Sequence, residues 1–207
     1  RGLAAKAATA AGGPRGTAFD ALYRCYELPK KSGGNRTVTV LADALKSLQR
    51  RLLRFGFAEV PLHEAATGFR PGLSIRDNAL PHVGKPLVVN VDIASFFPST
   101  RYELVLRACR KLLGGKISPA AARLAADLCS FRGALPTGAP TSPTIANIVL
   151  TPLDKALGKV CVRHGIAYTR YADDLTFSGG SEARKVLPFV HRLLDQLGYR
   201  LDGKKTN

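Results

Sequence analysis

Ile166-Ala167-Tyr168-Thr169-Arg170-Tyr171-Ala172-Asp173-Asp174-Leu175-Thr176-Phe177-Ser178 sets two adjacent carboxylates between two stretches rich in β-branched and aromatic residues. Such stretches on either side of a short break read as the arms of a β-hairpin, with Asp173 and Asp174 at its turn. Neighbouring like charges repel, so a bound cation is a natural reason for a turn to keep both.

Upstream, Leu87-Val88-Val89-Asn90-Val91-Asp92-Ile93 reads as an apolar strand that carries Asp92 toward its end. A lone Asp after a strand is more often a turn residue than a functional one. The pair at 173–174 changes that weighting, because a folded sheet can bring the end of one strand to the turn between two others. Carboxylate oxygens are the donors Mg²⁺ prefers, and two such ions activate an attacking hydroxyl and stabilise a leaving group in an in-line displacement.

Outward from these strands the chain alternates strand and helix. Tyr26-Glu27-Leu28-Pro29 and Thr37-Val38-Thr39-Val40 flank the basic Gly-Gly turn Lys30–Arg36 as a second hairpin. Asp43 is expected to cap a helix through Phe55, with Ala44, Leu45, Leu48, Leu52 and Phe55 at helical spacing. Thr100-Arg101-Tyr102-Glu103 opens a helix to about Leu113, and Ser118-Pro119 opens another. Ser142-Pro143 begins a helix expected to stop near Gly158, and a final helix over 182–197 is kinked or restarted at Pro188 and ends at Gly198. The fold class expected is α+β, with a small antiparallel sheet backed by helices.

The chain of 207 residues carries 31 Lys and Arg against 15 Asp and Glu, a net charge of +16, which points to a polyanionic partner. Nucleic acid leads over an anionic membrane surface. No apolar run approaches the roughly 20 residues of a spanning helix. Cys25, Cys109, Cys129 and Cys161 form no metal-binding spacing and read as reduced thiols of a cytoplasmic protein. Residues 1–16, rich in Ala and Gly with scattered basic residues, read as a flexible basic arm.

Three motifs then carry a resemblance. Tyr171-Ala172-Asp173-Asp174 resembles the Y-x-D-D box of reverse transcriptases, and Asn90–Phe97 resembles that family's first catalytic motif. Leu135-Pro136-Thr137-Gly138-Ala139-Pro140-Thr141-Ser142-Pro143, followed by Asn147, is similar to its L-P-Q-G-x-x-x-S-P motif. Three motifs in the family's order are far more specific than any one. The resemblance implies a polymerase right hand, with fingers over 17–86, returning around 110–135, and a palm over 87–207. It implies catalytic Asp92, Asp173 and Asp174 holding two Mg²⁺ ions, with Mn²⁺ as a substitute, and the backbone carbonyl of Ile93 completing the metal shell. It implies a nucleotide site of Lys30, Lys31, Arg36, Phe97, Thr137, Gly138 and Lys204 or Lys205, Phe97 standing where the family places the ring that blocks a ribose 2′-OH. Thr137 departs from the usual Gln and makes fewer contacts.

Asn78-Ala79-Leu80-Pro81-His82 resembles the N-A-x-x-H element of retron reverse transcriptases, which marks Asn78 and His82, although a lone His is more often structural. The retron resemblance implies a structured non-coding RNA as template and source of the primer hydroxyl, dNTP substrates, a single-stranded DNA product and a role in antiviral defence. It also implies a helical thumb with a V-T-G element beyond this sequence, so the chain is expected to be a piece of a longer protein. Two alternatives remain open: a catalytically idle RNA-binding scaffold with the same fold, and an intron or diversity-generating reverse transcriptase.

Overall fold

The computed structural model describes residues 16–29 and 35–203, and the chain divides into two compact units, Arg1–Val60 with Thr100–Ile145 and Pro61–Ser99 with Ala146–Asn207. The expected basic arm, except for Gly16, and Lys30, Lys31, Lys204 and Lys205 lie outside the described residues.

In the first unit, β1 (Tyr23–Pro29) pairs antiparallel with β2 (Asn35–Leu41), Tyr23 opposite Leu41 and Pro29 opposite Asn35. Helix α1 (Asp43–Leu52) follows, but Asp43 is its first residue and Ala42 occupies the cap position without a side-chain bond. The Asp43 carboxylate thus sits in the first turn, where the helix dipole favours negative charge. Nor does α geometry reach Phe55: it gives way to a π turn over Leu53–Phe57, whose wider winding rotates the apolar stripe. Phe57 is buried in place of Phe55, which is 63% exposed.

Three helices of the two units lie between this point and the next: α2 (Ile75–Ala79) and α3 (Phe96–Ser99) in the second unit, and α4 (Tyr102–Cys109) in the first. α4 stops before the expected Leu113, because Leu112–Gly115 form a 3₁₀ turn in which Leu113 and Gly114 take left-handed φ of 53° and 65°. Helix α5 (Pro119–Cys129) starts as its Ser-Pro signal predicts, with Ser118 Oγ accepting from the Ala121 N–H at 3.2 Å. Tyr23, Leu41, Leu45, Leu128 and Ala139 form this unit's core. Inside it Gln49 Nε2 donates to Tyr23 Oη at 3.0 Å and to the Leu128 carbonyl at 2.8 Å, while its Oε1 accepts from Thr141 Oγ1 at 3.0 Å. A buried amide satisfied at both ends locks the elements it joins.

The second unit is built on a three-stranded antiparallel sheet in the order β3 (Leu87–Asp92), β5 (Asp174–Gly179), β4 (Ala167–Tyr171). Strand alternation and register give it two unlike faces. Val89, Val91, Leu175, Phe177, Tyr168 and Arg170 share one face, and Asn90, Asp92, Asp174, Thr176, Ser178, Thr169 and Tyr171 share the other. Helix α6 (Ser142–Arg163), within which the division of the units falls, supplies partners to the first face. It runs past Gly158, the expected end. A Cβ there would lie 3.0 Å from the His63 ring, so this glycine permits a close approach and does not stop the helix. Helices α7 (Glu182–Lys185) and α8 (Leu187–Leu197) complete the unit, the restart falling at Leu187, one residue before Pro188, and the end at left-handed Gly198.

Arg170 is fully buried. Its Nε and Nη2 donate to the two oxygens of Asp154 at 2.9 and 2.7 Å, and its Nη1 donates to Asn147 Oδ1 at 2.9 Å and to the Ala172 carbonyl at 2.8 Å. Tyr168 Oη donates to the same Asp154 at 2.7 Å. Burial works against the charge on Arg170, but the Asp154 hydrogen bonds and carboxylate charge outweigh it and leave its pKa raised.

Part of the polar face is covered by α2 and the 3₁₀ turn Leu80–His82. Asn78 Oδ1 accepts from Thr67 Oγ1 at 2.7 Å, and the Asn78 carbonyl accepts from Thr169 Oγ1 at 3.2 Å. His82 Nε2 lies 2.8 Å from Thr169 Oγ1 and its Nδ1 2.6 Å from Ser178 Oγ, so both ring nitrogens are hydrogen-bonded. Burial, and secondarily the charge of Lys85, lower its pKa. Cys109, Cys129 and Cys161 are buried free thiols, with burial raising Cys129 to about 12 and Cys161 to about 11.

Two predictions follow from these buried groups. Arg170→Met strands the Asp154 carboxylate and is expected to cost about 3–5 kcal/mol in urea unfolding, while Arg170→Met with Asp154→Leu lies closer to wild type. For His82 the proton binds the unfolded chain first, so its contribution is whole above its ordinary pKa of 6.5 and is lost as pH falls toward the lowered native value. The urea midpoint of wild type should therefore drop more between about pH 7 and about pH 5 than that of His82→Gln; equal slopes would contradict it.

Candidate metal and nucleotide site

The polar face of the second unit ends in three carboxylates. Asp92 closes β3 and is 5% exposed, Asp174 opens β5 directly opposite it, and Asp173 sits in the turn between β4 and β5. One ligand oxygen of each lies within 4.8 Å of the others, and among the described residues no other group of three or more His, Cys, Asp or Glu side chains converges in this way. Burial is graded across the three, from buried Asp92 through half-buried Asp173 to exposed Asp174.

Backbone geometry delivers this convergence. Tyr171 and Asp174 are register partners, leaving a two-residue turn, Ala172-Asp173, in which Ala172 takes a left-handed φ of 58°. The turn is held on several sides. Ile93 N–H donates to the Asp173 carbonyl at 3.0 Å, Asp202 N–H to the Asp92 carbonyl at 2.8 Å, and Arg170 to the Ala172 carbonyl. Gly68 lies so close beneath that a Cβ on it would fall 2.6 Å from the Ala172 nitrogen, and its carbonyl accepts from Asn147 Nδ2 at 2.9 Å.

A set of hard oxygen donors on a rigid backbone, open to solvent at Asp174, fits a divalent cation. The arrangement concentrates negative charge at a place where a phosphate-bearing substrate can be met only with that charge neutralised.

The other expected site residues fall in both units. Phe97 is half-buried in α3 with its ring 5.3 Å from that of Phe96, whereas Phe96 is buried and 6.0 Å from the Tyr199 ring. Ile93, next to Asp92, is 1% exposed. Asn78 and His82 lie in the second unit, on the face that carries Asp92 and Asp174. In the first unit, Arg36 is the second residue of β2, opposite Leu28. There too the Thr137 carbonyl accepts from Thr39 N–H at 2.7 Å and Thr39 Oγ1 at 2.8 Å, and exposed Gly138 has a φ of +107°.

Sequence reasoning missed the residues that hold the turn from below: Arg170, Asp154 and Gly68, together with the part played by Asn147. A charged residue at an inward position of an apolar strand and an acid within an apolar helix are signals, but their pairing across 16 residues is not written in either. Among the described residues no helix is long and apolar enough to cross a membrane.

Comparison with known proteins agrees with this geometry. The retron Mx65 reverse transcriptase of Myxococcus xanthus is 36% identical over 89% of the chain, and the retron Mx162 reverse transcriptase of the same organism is 41% identical over 75%. The retron Ec86 reverse transcriptase of Escherichia coli is 32% identical over 90% of the chain. The matches cover 47%, 35% and 59% of those proteins, so the chain spans about half the length of the curated relatives it matches. Among solved structures, telomerases of Candida tropicalis and Candida albicans superpose with TM-scores of 0.58 and 0.59 over 88% of the chain, and over 49% and 42% of their own. At 12% and 11% identity they speak for the fold alone. The family described as reverse transcriptase (RNA-dependent DNA polymerase) matches residues 28–207, and with its α+β fold and its retron relatives the chain belongs to the reverse transcriptase family.

Proposed function

We propose that this chain is the fingers and palm of an RNA-directed DNA polymerase of the retron type, which adds dNTPs to a primer hydroxyl at Asp92, Asp173 and Asp174. The observation that carries the reading is the convergence of those three carboxylates on one rigid strand-and-turn frame. Two Mg²⁺ ions held there, or Mn²⁺ in their place, supply activation of the attacking hydroxyl and charge neutralisation of the departing pyrophosphate. Buried Asp92, half-buried Asp173 and exposed Asp174 would hold the ions through their carboxylates, and the backbone carbonyl of Ile93 would add a further oxygen donor.

Around the reacting atoms the chain binds and orients. Arg36, with Lys30, Lys31 and Lys204, holds the triphosphate, where a planar guanidinium suits phosphate oxygens. Phe97 excludes a ribose 2′-OH, and Thr137 and Gly138 bound the nascent base pair. The first unit acts as fingers and the second as palm, a division that moves residues 61–86 from the expected fingers to the palm, while the return of Thr100–Ile145 to the first unit supports a fingers segment that resumes after the first palm strand.

The template is a structured non-coding RNA and the product a single-stranded DNA. Relatives named as retron reverse transcriptases support this, as does a net charge of +16 suited to phosphate backbones. Asn78 and His82 belong to the retron-specific part, and three buried free thiols suit a reducing cytoplasm.

Primer extension on an RNA template with Mg²⁺, in the full-length protein, tests the assignment. Asp173→Asn with Asp174→Asn should lower incorporation by more than about a hundredfold, since even outer-shell changes at metal sites cost about ten- to a hundredfold. Activity equal to wild type would refute it.

A further inference from the structure

The free edge of β2 is not left to solvent. At Thr39 both backbone groups and the side chain face the loop that contains Thr137 and Gly138. The Thr39 N–H and Oγ1 converge on the Thr137 carbonyl at 2.7 and 2.8 Å, and the Thr39 carbonyl lies where a Cβ on Gly138 would come within 2.6 Å. Gly138 combines that contact with a φ of +107°, so only glycine fits against the strand. Thr39 itself is 5% exposed. The other end of the loop is tied down independently, Thr141 Oγ1 to buried Gln49 and Ser142 Oγ to the Pro136 carbonyl at 2.7 Å.

We infer that Thr39 is a positioning residue of the nucleotide site, clamping the Thr137–Gly138 loop onto the strand that carries Arg36 so that the two nucleotide contacts are held as one piece. The inference rests on the proposed role of Arg36, Thr137 and Gly138 in binding dNTP. A carbonyl that accepts two hydrogen bonds has little freedom to rotate, and Arg36 stands three residues from Thr39 on the same strand. Slack at the clamp therefore changes the spacing between phosphate and base contacts, which is a binding effect. The carboxylates lie in the other unit, so the metal requirement is left alone.

Thr39→Val is nearly isosteric and removes the Oγ1 bond while keeping the N–H bond; Thr39→Ser restores the donor. In the full-length enzyme on an RNA template, Thr39→Val should raise KM for dNTP about fivefold, the worth of one ordinary hydrogen bond, with kcat within about twofold. Thr39→Ser should return KM to within about twofold of wild type, and half-saturation by Mg²⁺ should be the same in all three. Gly138→Ala should raise KM further, because the loop must leave the strand. Unchanged KM in Thr39→Val, or a Thr39→Ser defect as large as that of Thr39→Val, would overturn the clamp while wild-type incorporation leaves the polymerase reading intact. Absence of incorporation by wild type would overturn both.

Discussion

A guanidinium sealed from solvent beneath the carboxylate turn is the constraint on which the second unit depends. Taking an ion out of water costs several kcal/mol, and only a partner of opposite charge with good geometry repays it. Arg170 has such a partner in the fork to Asp154, and its remaining donor reaches Asn147 and the Ala172 carbonyl. Helix α6, strand β4 and the turn therefore share one charged group, and Asn147 extends the link to Gly68. Displacing any of them leaves a buried polar atom without its bond, so the position of the turn is specified far more tightly than apolar packing would specify it.

That rigidity has a purpose in the electrostatics above it. Three carboxylate oxygens within 4.8 Å repel one another, and flexible side chains on a loose loop would part. Here the strand register sets Asp92 opposite Asp174, and the Ile93 N–H holds the backbone of Asp173. The sheet divides its labour by face: the side toward α6 carries the apolar residues and the Arg170 pair, and the other carries the carboxylates. The His82 hydrogen bonds lie on that second face, on Ser178 and Thr169, away from the turn. The first unit applies the same economy at Thr39, where one residue's amide, hydroxyl and carbonyl all meet the glycine loop.

What could be read in the sequence was what local rules govern. The hairpin around Ala172-Asp173-Asp174, the strand ending at Asp92 and the helix start at Ser118-Pro119 each rest on a few adjacent residues, and the structure has them where they were expected, except that Asp174 leaves the turn and opens β5. The end of α6 was misread because Gly158 serves a contact with His63, a residue nearly a hundred positions away in sequence and invisible to a rule about helix ends. Phe55 was misread because a π turn changes the winding, which no helical spacing anticipates. Arg170, Asp154 and Gly68 escaped for the reason His63 did: each is an ordinary residue until the fold supplies its partner. The three carboxylates could be grouped in advance only because repulsion at Asp173-Asp174 is itself local.

Anomalous diffraction from crystals of the full-length protein with RNA template, DNA primer, an incoming nucleotide and Mn²⁺ in place of Mg²⁺ is the most direct test that these carboxylates are a metal site. Anomalous peaks lying among the oxygens of Asp92, Asp173 and Asp174, lost in the Asp92→Asn protein, are the expected result. A nucleotide bound in its site with no peak among those oxygens would contradict it.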